Sequence, residues 1–221
     1  MTIEGLVLYL PVGRERTTCL RLRWLDPRAA RYVVLAFGTD GHEDEVDVRD
    51  YGNLDTRVEP FREQPVGPGE PGPEKWLETR MRSQIRLVDS SLLDRPVYGQ
   101  VPQFTAGERD VVDLLAAEPC GRLCVLELKA SEDVHLPVQA LDYWLRVRWH
   151  CEREDFTANG YFPGIPLRRD PPRLVLAAPA LHYHPSNERV VRYFSPEIEL
   201  QRVGLAADWR DELKVMFRYR R

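Results

Sequence analysis

Lysine is almost missing from this chain. Of its 31 basic residues only Lys75, Lys129 and Lys214 are lysines, which leaves 28 arginines. Lysine is a compact point charge and arginine a planar fork, so a lysine inside a strand is conspicuous here. Long apolar runs are missing too. No segment reaches the ~18–20 residues of a membrane span, which predicts no membrane partner. There is no Gly-rich phosphate loop and no nucleophile elbow, which argues against a small-molecule enzyme on an α/β sheet. Cysteines are few. Cys19, Cys120, Cys124 and Cys151 lack the paired short spacings of a zinc site and read as free thiols, most at packing positions. That usage suits a reducing, cytoplasmic setting. The start has no basic n-region, and its apolar run is broken at Pro11 and Gly13, which predicts no secretory signal. Positive charge is not in excess either. Thirty-one basic against 35 acidic residues give −4, unlike a nucleic-acid binder that is basic overall. The imbalance sits in residues 1–70, where 9 Arg face 13 Asp and Glu; residues 71–221 hold 22 of each sign.

What remains is an ordinary globular composition: 221 residues, 43% hydrophobic, 30% charged, mean hydropathy −0.43. The length allows one domain with a smaller companion. The break is residues 64–73, where four Pro and three Gly in ten residues exclude a regular element. It predicts a β-rich N-terminal domain over 1–63, a linker over 64–73 and a second domain over 74–221. In the first domain, 5–10, 18–24 and 31–37 read as strands, the second from its period-2 alternation, and the acidic stretch 42–50 as an edge strand. A small antiparallel sheet follows, suited to packing, substrate choice, dimerisation or a protein partner.

The second domain starts with Pro73 and Glu74, a helix opening. Leu77, Met81, Ile85, Val88 and Leu92 then fall at 4-4-3-4 spacing, one face of an amphipathic helix. Strands follow at 96–101, 110–116 and 123–129, a helix at 138–152, a core strand at 174–178, helical turns near 187–194 and a strand at 198–203. The order α-β-β-β-α-β predicts an α/β sandwich on a mixed sheet.

Three charges stand where apolar residues are expected. Asp113 sits among Val111, Val112, Leu114 and Leu115; Glu127 and Lys129 close the run 123–129. Charged groups are rarely buried unless paired or bound to metal. Residues i and i+2 share a strand face, so Glu127 and Lys129 point the same way. The turn at 117–121 makes the two strands hairpin partners and brings Asp113 beside Glu127. Two carboxylates and an ammonium suit metal-assisted phosphodiester hydrolysis. The carboxylates hold a hard cation, and the lysine orients water or offsets charge on the phosphate.

Asp113 followed by Glu127-Leu128-Lys129, and then by Gln139 and Tyr143 four apart on the next helix, resembles the PD-(D/E)xK nuclease superfamily in its RecB-like branch with a QxxxY motif. The resemblance spans about residues 74–178 and departs at Val112, where the motif's proline would stand. It implies the restriction-endonuclease-like α-β-β-β-α-β core, Mg²⁺ or Mn²⁺ as cofactor, and DNA, or RNA, as partner. It implies Asp113 and Glu127 as metal ligands, with the Leu128 carbonyl and the helical acid Glu78 completing the shell. Lys129 would be catalytic, and Gln139, Tyr143 and Arg146 would position substrate. A catalytically inactive module that binds nucleic acid or protein is the alternative.

Other charged residues have plainer readings. Arg80, Arg82 and Arg86 read as a solvated helix face rather than a phosphate track. Asp110 is a weaker rival of Asp113, because its strand parity points it away. His182 and His184 lack neighbouring acids. The basic and aromatic residues 214–221 suit either nucleic-acid contact or docking on the sheet.

Overall fold

The structure is a computed structural model that describes residues 5–51, 56–60, 72–105 and 108–221. Most of the Pro/Gly stretch at 64–73 lies outside them. The protein is mixed α/β and divides into two compact units, residues 1–54 with 188–196, and 55–187 with 197–221.

The smaller unit is a three-stranded sheet in the order β1-β2-β3, from β1 (Leu6–Pro11), β2 (Tyr32–Phe37) and β3 (Glu43–Glu45). The strand expected at 18–24 is instead helix α1 (Arg16–Leu22). Because of it β1 and β2 run parallel, and only β2 and β3 are antiparallel. Parallel neighbours need a crossover, and α1 supplies one. Its leucines and arginines are good helix formers. Cys19 and Leu22, three apart, bury against Val34, with Leu8, Leu10 and Tyr32 beside them. The alternation of 18–24 thus misreads as a strand a helix too short to complete two turns. Part of the acidic stretch forms β3, and Val48–Tyr51 is a 3-10 turn.

The larger unit is built on a seven-stranded sheet in the order β10-β9-β8-β7-β6-β5-β4. β4 (Thr56–Val58), on the N-terminal side of the Pro/Gly stretch, is the edge strand beside β5 (Tyr98–Thr105), so the division between units falls at 54/55 rather than 63. β5 pairs antiparallel with β6 (Glu108–Ala117), and β6 antiparallel with β7 (Leu123–Leu128). β7, β8 (Arg173–Pro179) and β9 (Leu200–Leu205) run parallel. β10 (Val215–Arg220) closes the sheet antiparallel to β9, so the basic-aromatic C-terminal segment is a strand.

The expected amphipathic helix is two pieces, α2 (Pro73–Ser83) and α3 (Ile85–Val88), broken at Gln84, whose ψ of 37° leaves the helix. Its stripe still holds: Leu77, Met81, Ile85, Val88 and Leu92 are buried with Leu114, Ala116, Cys124, Leu126, Val175 and Val203 in one core. The alternate residues Leu115, Val125, Leu174 and Leu176 are equally buried. They belong to the other sheet face, where α4 (Leu136–Glu152) packs on β7 and β8. Trp144 of α4 donates its indole N–H to the Pro172 carbonyl at 2.7 Å, fixing the helix against the entry to β8. A short helix α5 (Asp155–Ala158) follows α4, and α6 (Pro185–Val191) precedes β9. All four cysteines are free; Cys120 is exposed and the other three are buried.

Candidate active site

The site forms where β6 and β7 part. Their ladder runs from Ala117 opposite Leu123 to Leu114 opposite Leu126. The next step would set Asp113 against Glu127. There the Asp113 carboxylate itself takes the Leu128 backbone N–H at 2.9 Å, replacing a ladder bond. The divergence makes room for two carboxylates at the carboxyl end of β7, the end where open α/β sheets bind their ligands.

Glu127 is completely buried, and neither of its carboxylate oxygens has a hydrogen-bond partner. Its nearest countercharge is Lys129 Nζ at 3.6 Å. Burial drives the Glu127 carboxyl well above its ordinary value. The Asp113 charge adds to that rise, and Lys129 opposes it. Burial also lifts Asp113 to about 6, against the Leu128 N–H and Lys129, with Glu78 and Glu74 raising it further. An orphaned, buried carboxylate is costly in any fold.

Lys129 is 12% exposed and is surrounded by acids: Glu127 at 3.6 Å, Asp133 at 3.7 Å and Glu74 at 4.0 Å. Its backbone N–H bonds the Ala177 carbonyl at 3.0 Å, which extends β7 by one residue against β8. One ammonium thus faces the carboxylates of Glu127, Asp133 and Glu74, with Asp113 close by. The excess of negative charge makes the basin attractive to a cation. Beside it, a cavity of about 320 Å³ is lined by Glu74, Lys75, Ala130, Ser131 and Arg210. A larger one, about 630 Å³, lies apart along α2 and the entry to β5, with Arg82, Arg95 and Tyr98 in its wall.

Glu78 is buried on α2, but its carboxylate is already engaged. Lys75 Nζ stands 2.9 Å from one oxygen and 3.2 Å from the other, and Gln100 Nε2 donates at 2.8 Å. The carboxylate lies directly over Gly99, where an added Cβ would come within 2.3 Å of Oε1. Gln100 has a φ of 52°, a conformation uncommon for a side chain-bearing residue. It stands between the pairs Gly99–Leu114 and Val101–Val112, opposite Asp113. Among the described residues no three His, Cys, Asp or Glu side chains group as a metal cage.

The structure therefore brings Asp113, Glu127, Leu128 and Lys129 together. It holds Glu78 with Lys75 and Gln100, and sets Gln139, Tyr143 and Arg146 in a line along α4. Gln139 donates to the Tyr143 hydroxyl at 2.9 Å, and the Arg146 guanidinium lies 5.9 Å from the centre of the Tyr143 ring. Sequence reasoning missed Glu74, Asp133, Gly99 and Gln100. Asp133 carries a usable signal, since it lies four residues beyond Lys129, and Glu74 lies one helical turn before Glu78. Gly99 and Gln100 carry none, because their part depends on the pairing of β5 with β6. His182 and His184 make no metal pair, since His182 Nδ1 is 3.3 Å from the Ala130 carbonyl and His184 Nδ1 accepts the Ser186 N–H. His184 does have an acid beside it, Glu132 at 3.9 Å, contrary to the sequence expectation. Arg80 and Arg82 are tied to the Arg210 and Val97 carbonyls.

No family model matches the chain, and no curated protein matches its sequence.

Proposed function

We propose that the protein is a divalent-metal-dependent nuclease that hydrolyses DNA phosphodiester bonds, on a PD-(D/E)xK core running from α2 to β8. The observation that carries this reading is Glu127: a buried carboxylate with two orphaned oxygens, beside Asp113 and Lys129. The elements from α2 to β8 run α2, α3, β5, β6, β7, α4, α5, β8, an order compatible with the implied α-β-β-β-α-β core when the short helices α3 and α5 are set aside.

The donor set fits a hard cation. Asp113 and Glu127 would hold Mg²⁺ or Mn²⁺ through carboxylate oxygens, with the Leu128 carbonyl as a further oxygen donor. Mg²⁺ is commonly held by one or two carboxylates together with water and phosphate oxygens, so two carboxylates suffice. The bound ion supplies Lewis acidity toward a phosphoryl oxygen and a lowered pKa for water. Asp113 and Glu127 supply the negative charge that retains it, which also favours their ionised forms. Lys129 presents its ammonium to the phosphate and the attacking water and offsets charge as it builds on the phosphoryl oxygens. Asp133 and Glu74 hold that ammonium in place. Gln139 and Tyr143, bonded to each other, offer a polar edge on α4 for positioning substrate, with Arg146 beside them.

The test is a cleavage assay on single-stranded and duplex DNA, linear and circular, in Mg²⁺, Mn²⁺ or EDTA. The expected result is metal-dependent cutting that falls by about 10²–10³ in Lys129→Ala, the usual loss when a charge-stabilising donor is removed. Wild type that cuts nothing in either metal would contradict the proposal. The alternative, an inactive module, has one observation in its favour: Glu78 is occupied by Lys75 and Gln100. That reading expects calorimetric titrations with Mg²⁺ and Mn²⁺ to be silent.

A further inference from the structure

The sheet of the smaller unit has one covered face and one open face. Leu8, Leu10 and Val34 pack over Cys19 and Leu22. The residues between them point the other way. On that face Val7 stands beside Val33, Tyr9 beside Leu35 and Pro11 beside Phe37. The rows continue into β3, with Leu35 beside Glu45 and Phe37 beside Glu43. Val7 is 52% exposed, Tyr9 57%, Val33 39% and Phe37 40%. A contiguous apolar surface of this kind marks an interaction site. Two of its rows end in a carboxylate, and residues 40–50 around that margin hold six Asp and Glu against one Arg.

The acidic margin decides between occupants. Nucleic acid would bring phosphates toward carboxylates, the opposite of the usual electrostatic attraction. A second copy stacked face to face must use a two-fold axis in the plane of the interface. With the axis along the strands, the carboxylates of β3 cover the apolar residues of the other copy's β1, burying unpaired charge. With the axis across the strands, carboxylates oppose carboxylates. Both arrangements are unfavourable. A different protein with basic residues at one margin meets neither cost.

We propose that the open face of β1-β2-β3 docks a different protein, through a segment presenting apolar or aromatic side chains next to Lys or Arg. The proposal does not depend on the nuclease reading. It is tested by panning a random-peptide library on the full chain, with Tyr9→Ser/Phe37→Ser and Glu43→Lys/Glu45→Lys as comparison proteins. The substituted side chains are solvent-exposed, and unchanged circular dichroism and melting confirm that both variants fold. Enriched peptides should combine aromatic or aliphatic residues with Lys or Arg, and should bind each variant at least about tenfold more weakly. No enrichment, enrichment without basic residues, or binding unchanged in both variants overturns the proposal. So does a wild-type dimer in sedimentation that Tyr9→Ser/Phe37→Ser dissolves, which gives the face to a second copy. DNA binding lost in that variant gives it to nucleic acid and overturns the proposal equally.

Discussion

Two clusters of buried charge in the larger unit are built differently. At the start of β8, Arg173 is buried with nearly all its hydrogen-bonding capacity spent. It reaches Asp89 at 2.5 Å, Glu118 at 2.7 Å, Ser91 Oγ at 2.8 Å and Gln201 at 3.1 Å. Burial pushes the Asp89 carboxyl up, but Ser91 and Arg173 outweigh it and hold the group below its ordinary value. At the end of β7, Glu127 is as deeply buried with neither oxygen hydrogen-bonded, and Asp113 is raised to about 6. In the first cluster every charge meets a countercharge or hydrogen-bond partner, with only the Gln201 amide nitrogen left over, and it ties α3, β8 and β9 together. The second lacks hydrogen-bond partners for the Glu127 oxygens, which the proposed cation would supply. Buried charge alone therefore does not identify function; buried charge left unsatisfied does so far better.

Several substitutions sharpen that contrast. The largest effect on stability belongs to Arg173→Met. It leaves the buried Asp89 with only Ser91 and the more distant Arg220 guanidinium at 3.7 Å, and urea unfolding should report a loss of about 3 kcal/mol. A loss below 1 kcal/mol would make the cluster ornamental.

Asp113→Asn has the opposite sign. Burial lifts the native carboxyl to about 6, well above an ordinary aspartate, so between those values the folded state holds its proton where the unfolded chain has released it. The stability associated with that proton is full below pH 4 and is lost as pH rises through 6. About two pKa units correspond to about 3 kcal/mol, so metal-free Asp113→Asn should exceed wild type by up to about that amount at pH 7.5. The difference between the two proteins should shrink toward pH 4. Denaturation curves at several pH values in EDTA check this, and a difference independent of pH would contradict it.

Gly99→Ala should have the smallest effect. The new methyl meets Glu78 Oε1 at 2.3 Å, so the carboxylate must shift from Gln100. Overpacking of this kind costs about 1–3 kcal/mol. Thermal melting measures that cost, and the cleavage assay tells whether Glu78 serves the proposed reaction.

The charged trio at the candidate site was legible in the sequence for a local reason. Asp113, Glu127 and Lys129 lie on two strands joined by a short turn, so alternation and turn length bring them together without knowledge of the rest of the fold. The stripe of α2 and α3 was legible because helical spacing survives a one-residue break at Gln84. The Arg173 cluster was not, because its members come from residues 89, 91, 118, 173 and 201, and no local pattern joins them. Glu78 was recognisable as a buried helical acid, but its engagement with Lys75 and Gln100 rests on β5 lying beside β6. Helix α1 was lost because seven residues with alternating polarity satisfy both periods; the parallel order of β1 and β2 decides it.

If the Asp113–Glu127 pair is kept for a cation, it is kept at a cost in stability of the metal-free protein. The most direct measurement is the stability of wild type and Glu127→Gln at pH 7.5, in EDTA and in Mn²⁺. Glu127→Gln should be the more stable protein in EDTA and indifferent to Mn²⁺, while wild type gains stability as Mn²⁺ is added. A wild type that ignores Mn²⁺, with a Glu127→Gln variant less stable than wild type in EDTA, would contradict it.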